Sequence, residues 1–101
     1  MNPVCSRYAA AADLLSRRWS VTVVGALVQQ PAVRFNQLRA SVPGITPKLL
    51  AERLRELEAA GIVERHLVLS HPVLVEYRLT EKGRALSRVV AALQEWADAW
   101  V

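Results

Sequence analysis

The sequence predicts a mainly α-helical fold with one small β-hairpin. In several segments apolar residues recur at spacings of three and four, which is typical of helices with one buried face. Between residues 63 and 79 the spacing changes to two, which is typical of β-strands. Proline, glycine and capping residues separate these segments, because such residues start and end helices and strands.

The first part of the chain predicts a short arm followed by two helices. Residues 1–5 form the arm, and the alanine- and leucine-rich segment Ser6–Ser16 has a high helix propensity. Ser20 is expected to cap a second helix, which is apolar nearly all round and should therefore be buried. Trp19 is expected in the core, and Pro31 ends the second helix because it breaks the hydrogen-bond ladder.

A helix-turn-helix follows. Residues 33–35 form a short extended piece, and Asn36 is predicted to cap a third helix. Pro43-Gly44 then forms a tight turn before a fourth helix at residues 46–60. A helix, a four-residue turn and a second helix is the spacing of that motif.

The fourth helix has the sharpest boundaries in the chain. Thr46 is a good N-cap, Pro47 suits the first helical position, and Gly61 supplies the left-handed residue that ends helices. An apolar stripe, formed by Leu50, Leu54 and Leu57, predicts one buried face. The opposite face is small or charged, and the positive end of the helix dipole favours an approaching phosphate.

A hairpin and a last helix complete the predicted fold. The hairpin covers residues 63–79 with its tip near 69–73. Thr80 is expected to cap a helix over residues 81–100. A helix-turn-helix followed by a hairpin is a winged helix, in which residues 46–60 form the recognition helix and residues 63–79 the wing.

Composition limits the class of protein. A chain of 101 residues with 52% hydrophobic content predicts a single folded domain, residues 1–101. No apolar run reaches membrane-spanning length, and no signal peptide is recognisable, so the single cysteine is expected in a reducing cytoplasm. The net charge of +4 is compatible with a polyanionic partner. Eleven of the thirteen cations are arginine, which suits phosphate and base contacts but also fits a GC-rich genome.

Three blocks of sequence resemble one family. They are LLSRRW, RFNQLRASVPGITPKLLAERLRELEAAGIVER and VEYRLTEKG, in this order and spacing. Together they resemble the HxlR-type winged-helix transcriptional regulators of bacteria over about residues 5–100. The resemblance implies a homodimer joined through the first and last helices, a major-groove recognition helix and a DNA-contacting wing. This chain departs from the family pattern at three places. The family more often has proline at the position of Ser6, Ser-Gln at Thr46-Pro47 and a cation at Leu74.

Eight residues are candidate contacts to double-stranded DNA. Lys48, Arg55 and the Thr46 hydroxyl lead, because they lie on the exposed side or at the start of the recognition helix. Arg53 lies nearer the edge of that face and is expected to reach phosphate or to pair with a nearby glutamate. The remaining candidates are Pro47, Arg39, Arg65 and His71. The alternative is a solvated helix with ion pairs at i,i+3 and i,i+4.

Cys5 has two interpretations. In the family some members are thiol sensors, which use a cysteine just before the first helix to react with quinones, aldehydes or oxidants, and Cys5 stands at that position. A helix N-terminus with Arg7 nearby favours the reactive thiolate. The alternative is a small apolar residue packed at a dimer seam.

The last helix carries an apolar seam expected to form the dimer interface: Leu86, Val89, Val90, Leu93, Trp96 and Trp100. The two tryptophans could instead line a ligand pocket. Neither a catalytic set, a phosphate-binding loop nor metal-ligand spacing is recognisable, so we expect no enzyme activity, no cofactor and no metal.

The sequence therefore predicts a dimeric DNA-binding transcriptional regulator whose operator is an imperfect palindrome. Cys5 chemistry with an oxidant or electrophile is one expected switch, and a ligand at the dimer seam is the other. A winged helix used for protein interaction is the rival from a different class. The operator, the target genes, the inducer and the sign of regulation do not follow from the sequence.

Overall fold

The computed structural model describes residues 2–101, and these form a mainly helical fold with a small antiparallel sheet. The helices and strands are α1 Ser6–Leu15, α2 Ser20–Val28, β1 Val33–Arg34, α3 Phe35–Ser41, α4 Pro47–Ala59, β2 Val63–Val68, β3 Leu74–Leu79, α5 Glu81–Arg84 and α6 Ser87–Trp100. This order confirms the predicted winged helix-turn-helix, with α3 and α4 as the motif and β2 and β3 as the wing.

The core lies between α2, α3, α4 and the sheet. Its buried apolar side chains are Val23, Val24, Leu27, Val33, Leu38, Val42, Ile45, Leu50, Leu54, Leu57, Ile62, Val63 and Leu79. The predicted leucine stripe of α4 is therefore confirmed, and it anchors that helix to the body. The second helix is less enclosed than its composition suggests, since Thr22 is exposed and Val21 only half-buried.

The sheet has three strands in the order β1-β3-β2, with antiparallel pairing throughout. In the wing, Val63 pairs with Leu79 at the base and Val68 with Leu74 near the tip, as the predicted hairpin requires. The short extended piece before α3 adds a third strand, because Val33 pairs with Tyr77 and directs its side chain into the core. Pairing with a strand more than forty residues away was not visible as a local pattern.

Two predicted helix caps need correction. The third helix begins at Phe35 rather than after Asn36, with Arg34 as its N-cap and the Gln37 side chain accepting from the Arg34 N–H at 3.0 Å. At the second helix the N-cap position belongs to Trp19, which has a φ of 80°, and Ser20 is the first helical residue. Arg34 is held by strand pairing with Glu76 and the Trp19 ring packs on the core, so these contacts, and not the intrinsic capping preference, accompany the observed boundaries.

The prediction of a single helix over residues 81–100 is also wrong. It is divided at residues 85–86 into α5 and α6. The N–H of Leu86 donates to the Gly83 carbonyl at 3.0 Å, three residues back, so the chain forms a tighter turn there. Among the helices of residues 2–101, none has the length and apolar character needed to cross a membrane.

Candidate nucleic-acid interface

The start of α4 has the predicted cap. The Thr46 Oγ1 accepts a hydrogen bond from the Leu49 N–H at 3.2 Å, and Pro47 occupies the first helical position. Gly61 follows the helix with a φ of 76°, a left-handed conformation that glycine adopts without strain. Both ends of the helix are therefore fixed, and its direction out of the turn is defined.

The flank of α4 opposite its leucines is open. Lys48 and Arg55 are both exposed, and Thr46 and Pro47 are exposed at the start of the helix. The structure therefore presents two cations that form no ion pair within residues 2–101, together with a helix N-terminus, on the surface that does not contact the core. Such a surface attracts phosphate groups through both the side-chain charge and the helix dipole.

A groove runs beside this flank, between α3 and the N-terminus of α4. It has a volume of about 490 Å³ and is lined by Asn36, Arg39, Ala40, Val42, Gly44, Ile45, Thr46 and Pro47. Arg39 is exposed, so the structure brings this sequence candidate next to Thr46 and Pro47. The cation and the positive helix end reinforce each other for an anionic ligand.

Arg53 is not available in the same way. Its side chain is only 9% exposed, and its Nε donates to the Arg18 carbonyl oxygen at 2.7 Å. Its Nη1 lies 3.1 Å from a Glu56 carboxylate oxygen. Arg53 is thus engaged inside the protein, and we remove it from the candidate DNA contacts.

The wing is apolar at its tip. Leu69 is 87% exposed, and Val73 and Leu67 are also exposed. The candidate contacts Arg65 and His71 are exposed, whereas Arg78 forms an ion pair with Glu64 across the two strands. Among the described residues the wing therefore offers Arg65, His66 and His71 as exposed basic groups near an apolar end.

Cys5 lies at the N-cap position of α1 and is exposed. Its sulfur completes no capping hydrogen bond, but the backbone N–H of Tyr8 lowers the pKa of the thiol, and the backbone and side chain of Arg7 act in the same direction. A lowered pKa and exposure together favour a reactive thiolate. Within residues 2–101, no three His, Cys, Asp or Glu side chains group to hold a metal ion.

The predicted apolar seam of the last helix divides into two sets. Leu86 and Val90 pack against the core of their own chain, so we no longer assign them to a partner. The other four are exposed: Val89, Leu93, Trp96 and Trp100. Contiguous exposed side chains of this size mark an interaction surface. On α1, Tyr8 adds a further exposed aromatic ring.

Sequence comparison identifies the family. A profile described as HxlR-like helix-turn-helix matches residues 14–101. The chain belongs to this HxlR-like family. The HTH-type transcriptional regulator YodB of Bacillus subtilis strain 168 is 43% identical over 97 residues, which cover 96% of this chain and 86% of YodB. This HxlR-like chain is accordingly a DNA-binding transcriptional regulator.

Solved structures agree with the HxlR-like assignment. The reduced form of YodB has a TM-score of 0.84 at 41% identity and covers 97% of this chain and 95% of its own. The redox regulator HypR in its oxidized form also has a TM-score of 0.84, at 35% identity, covering 92% of this chain and 95% of its own. YodB has been solved in a quinone-bound form as well, with a TM-score of 0.78, 41% identity and coverage of 96% and 100%.

Sequence reasoning missed the contacts that join Arg53 and Glu56 to Arg18 and Arg17, although it named pairing of Arg53 with a nearby glutamate as one alternative. The i,i+3 spacing of Arg53 and Glu56 was a usable signal for their ion pair. The bonds from the same two side chains to Arg18 and Arg17 join positions far apart in the chain, and no local pattern reveals them.

Proposed function

We propose that this HxlR-like regulator acts as a homodimer that binds an imperfect palindrome in double-stranded DNA. The observation that carries the proposal is the flank of α4, where Lys48 and Arg55 stand exposed while the leucines of the opposite face are buried. Two such helices, one from each subunit, enter successive major grooves about 34 Å apart. At the start of this helix, Thr46 and Arg39 contact phosphate groups. From the wing, Arg65 and His71 contact the DNA backbone.

Binding to promoter DNA from the protein's own locus tests this function. We expect fluorescence anisotropy to show tight binding at low salt and a linear fall of log K with log salt concentration, because neutralised phosphates release counterions. The exposed apolar wing tip favours a rival function, docking on another protein, and an apolar protein interface responds little to salt. The proposed function would be contradicted if the protein did not bind promoter DNA, or if its affinity for that DNA did not change with salt concentration.

The dimer forms through α1 and the exposed apolar residues of α6. Trp96 and Trp100 are large aromatic side chains, and such residues contribute most of the binding energy of interfaces. We therefore expect Trp96→Ala with Trp100→Ala to raise the dimer dissociation constant at least about tenfold, measured by sedimentation equilibrium. Leu69→Ala, which removes an exposed apolar side chain at the wing tip, is the matched control and should leave it unchanged. An unaltered dissociation constant in the double variant would place the interface elsewhere.

We also propose that Cys5 is the switch that releases DNA. Three observations support this: its exposure at the start of α1, its lowered thiol pKa, and similarity to a redox regulator and to a protein solved with a bound quinone. An oxidant such as diamide converts two thiols to a disulfide while it is itself reduced to a hydrazine. With one cysteine per chain, the second thiol comes from the other subunit or from a small thiol, whereas a quinone alkylates the thiolate directly.

Diamide and a quinone should therefore weaken DNA binding of the wild-type protein and leave Cys5→Ser unaffected. The expected change arises because modification at the start of α1 alters the dimer and with it the spacing of the two recognition helices. Anisotropy before and after treatment measures it, and a reductant should reverse the effect of diamide. An equal response of both proteins would exclude Cys5 and favour a ligand in the groove of about 320 Å³ between α2 and α6.

A further inference from the structure

The segment between α1 and α2 is bonded directly to the recognition helix. This linker comprises residues 16–19. Its Arg18 carbonyl oxygen accepts the Arg53 Nε at 2.7 Å, across 35 positions of sequence. Arg53 lies on the same helix as Lys48 and Arg55, but its side chain is buried against the linker.

Glu56 extends this contact to a second linker residue. Its carboxylate accepts Arg53 Nη1 at 3.1 and 3.3 Å, and it lies 3.2 Å from the Arg17 Nε. Arg17 is 60% exposed and Glu56 34%, so the carboxylate bridges one buried and one solvated guanidinium. These contacts form a linker–helix network of four residues: Arg17, Arg18, Arg53 and Glu56.

The linker also packs against the turn that precedes α4. Trp19 has a φ of 80°, an unfavourable conformation for a bulky residue, which persists only where the surroundings impose it. Its ring packs on the core and lies over Gly44, where an added Cβ would meet the ring at 3.4 Å. The Arg18 guanidinium lies 5.3 Å from the centre of the same ring.

The linker–helix network restricts the orientation of α4, which the apolar contacts of this helix do not do. Leu50, Leu54 and Leu57 hold the helix on the core, but apolar contact is non-directional and tolerates small rotations and shifts. If the helix moves relative to the linker, the buried Arg53 Nε loses the Arg18 carbonyl as its acceptor and Glu56 loses the Arg17 guanidinium, and a buried donor without an acceptor is unfavourable. The linker–helix network therefore ties the orientation of α4 to the linker.

We propose that Arg53 and Glu56 are positioning residues, which set the orientation of the recognition helix relative to α1 and hence the half-site spacing that the dimer accepts. The inference rests on the proposed function, since spacing has meaning only when two subunits joined through α1 and α6 bind one duplex. Neither residue contacts DNA. They act through the linker, which joins α1 to α2 and contacts α4 through Arg17 and Arg18.

Glu56→Gln tests the inference because it keeps the side-chain shape and removes the charge that both guanidinium groups share. Affinity is measured for the footprinted operator and for versions with one base pair inserted or deleted between the half-sites. Wild-type protein should prefer the natural spacing, and Glu56→Gln should reduce that preference about two- to fivefold, the range of a partly exposed ion pair. The salt slope should stay that of the wild type, because every phosphate contact is retained.

Two further variants keep the test decisive. Glu58→Gln removes the same charge from an exposed position of the same helix and should keep the wild-type spacing preference. Arg17→Ala removes a largely exposed partner of Glu56, so it should fold, as a urea unfolding curve verifies, and should shift the preference in the same direction as Glu56→Gln.

The outcomes separate this inference from the proposed function. If both Glu56→Gln and Arg17→Ala keep the wild-type spacing preference, the positioning role is overturned. It is also overturned if Arg17→Ala keeps that preference and shows a reduced salt slope, because Arg17 would then be a phosphate contact. Wild-type protein that binds DNA without any spacing preference overturns it too. Wild-type protein that binds no promoter DNA contradicts the proposed function itself.

Discussion

Replacing Lys48 and Arg55 together by alanine is expected to weaken operator binding by about 2–4 kcal/mol, about 30-fold to 1,000-fold. Both side chains are exposed on the flank of α4 that faces away from the core, and neither forms an ion pair within residues 2–101. Their removal should therefore act on DNA binding and leave folding nearly unchanged. Anisotropy with operator DNA at one fixed salt concentration measures the effect.

The control for this variant removes the same charge from another surface. Arg84→Ala with Arg88→Ala lowers the net charge by two as well, at exposed positions of α5 and α6. If local contacts to DNA matter, this control should bind nearly as tightly as the wild type, whereas a purely long-range charge effect would weaken both variants equally. The salt slope of the Lys48 and Arg55 variant should also fall, by about one for each cation that no longer neutralises a phosphate. Full affinity of that variant would remove these residues from the interface.

Gly83→Ala is expected to destabilise the fold by about 2–3 kcal/mol. A Cβ at Gly83 would lie only 2.2 Å from the Ile62 carbonyl oxygen and 3.0 Å from a methyl carbon of Leu79. That carbonyl cannot move freely, because it accepts the Thr80 N–H at 3.0 Å and the Thr80 Oγ1 at 3.3 Å. The clash is with backbone, so α5 must move away from the base of the wing.

Urea unfolding at a fixed protein concentration measures this effect, and Gly25→Ala is its control. Gly25 lies in the interior of α2, and an added Cβ would meet a methyl carbon of Val90 at 3.6 Å, an ordinary contact. Alanine has the higher helix propensity, so this variant should be more stable than the wild type by about 0.5–1 kcal/mol. Equal stability of the Gly83 variant and the wild type would contradict the close packing of α5 on Ile62.

The elements with strong local signals were predictable. The recognition helix follows from Thr46, Pro47 and Gly61, because capping and turn preferences act within a few residues. The wing follows from the change of spacing after Gly61, and the observed strands lie inside the predicted hairpin. The exposure of Lys48 and Arg55 follows from helical geometry once the leucine stripe is known to be buried.

Other features needed contacts between distant residues. Asn36 and Ser20 have the better intrinsic capping preference, yet Arg34 and Trp19 occupy the N-cap positions because strand pairing and ring packing fix the chain there. The break between α5 and α6 at residues 85–86 was likewise visible only in the structure. The sequence placed Arg53 near the edge of the DNA-facing flank, with phosphate or a glutamate as its partner, and its burial and its bond to the Arg18 carbonyl show that it is used inside the protein.

The sequence alone determined the winged helix-turn-helix, the limits of its recognition helix and the cations on its open flank, because these depend on local preferences and helical periodicity. The tertiary structure alone decided which of the arginines stay free, which apolar residues of the last helix turn inward and how the linker holds α4. Those outcomes depend on burial and on charge pairing between segments distant in the chain, and such interactions leave no periodic trace in the sequence.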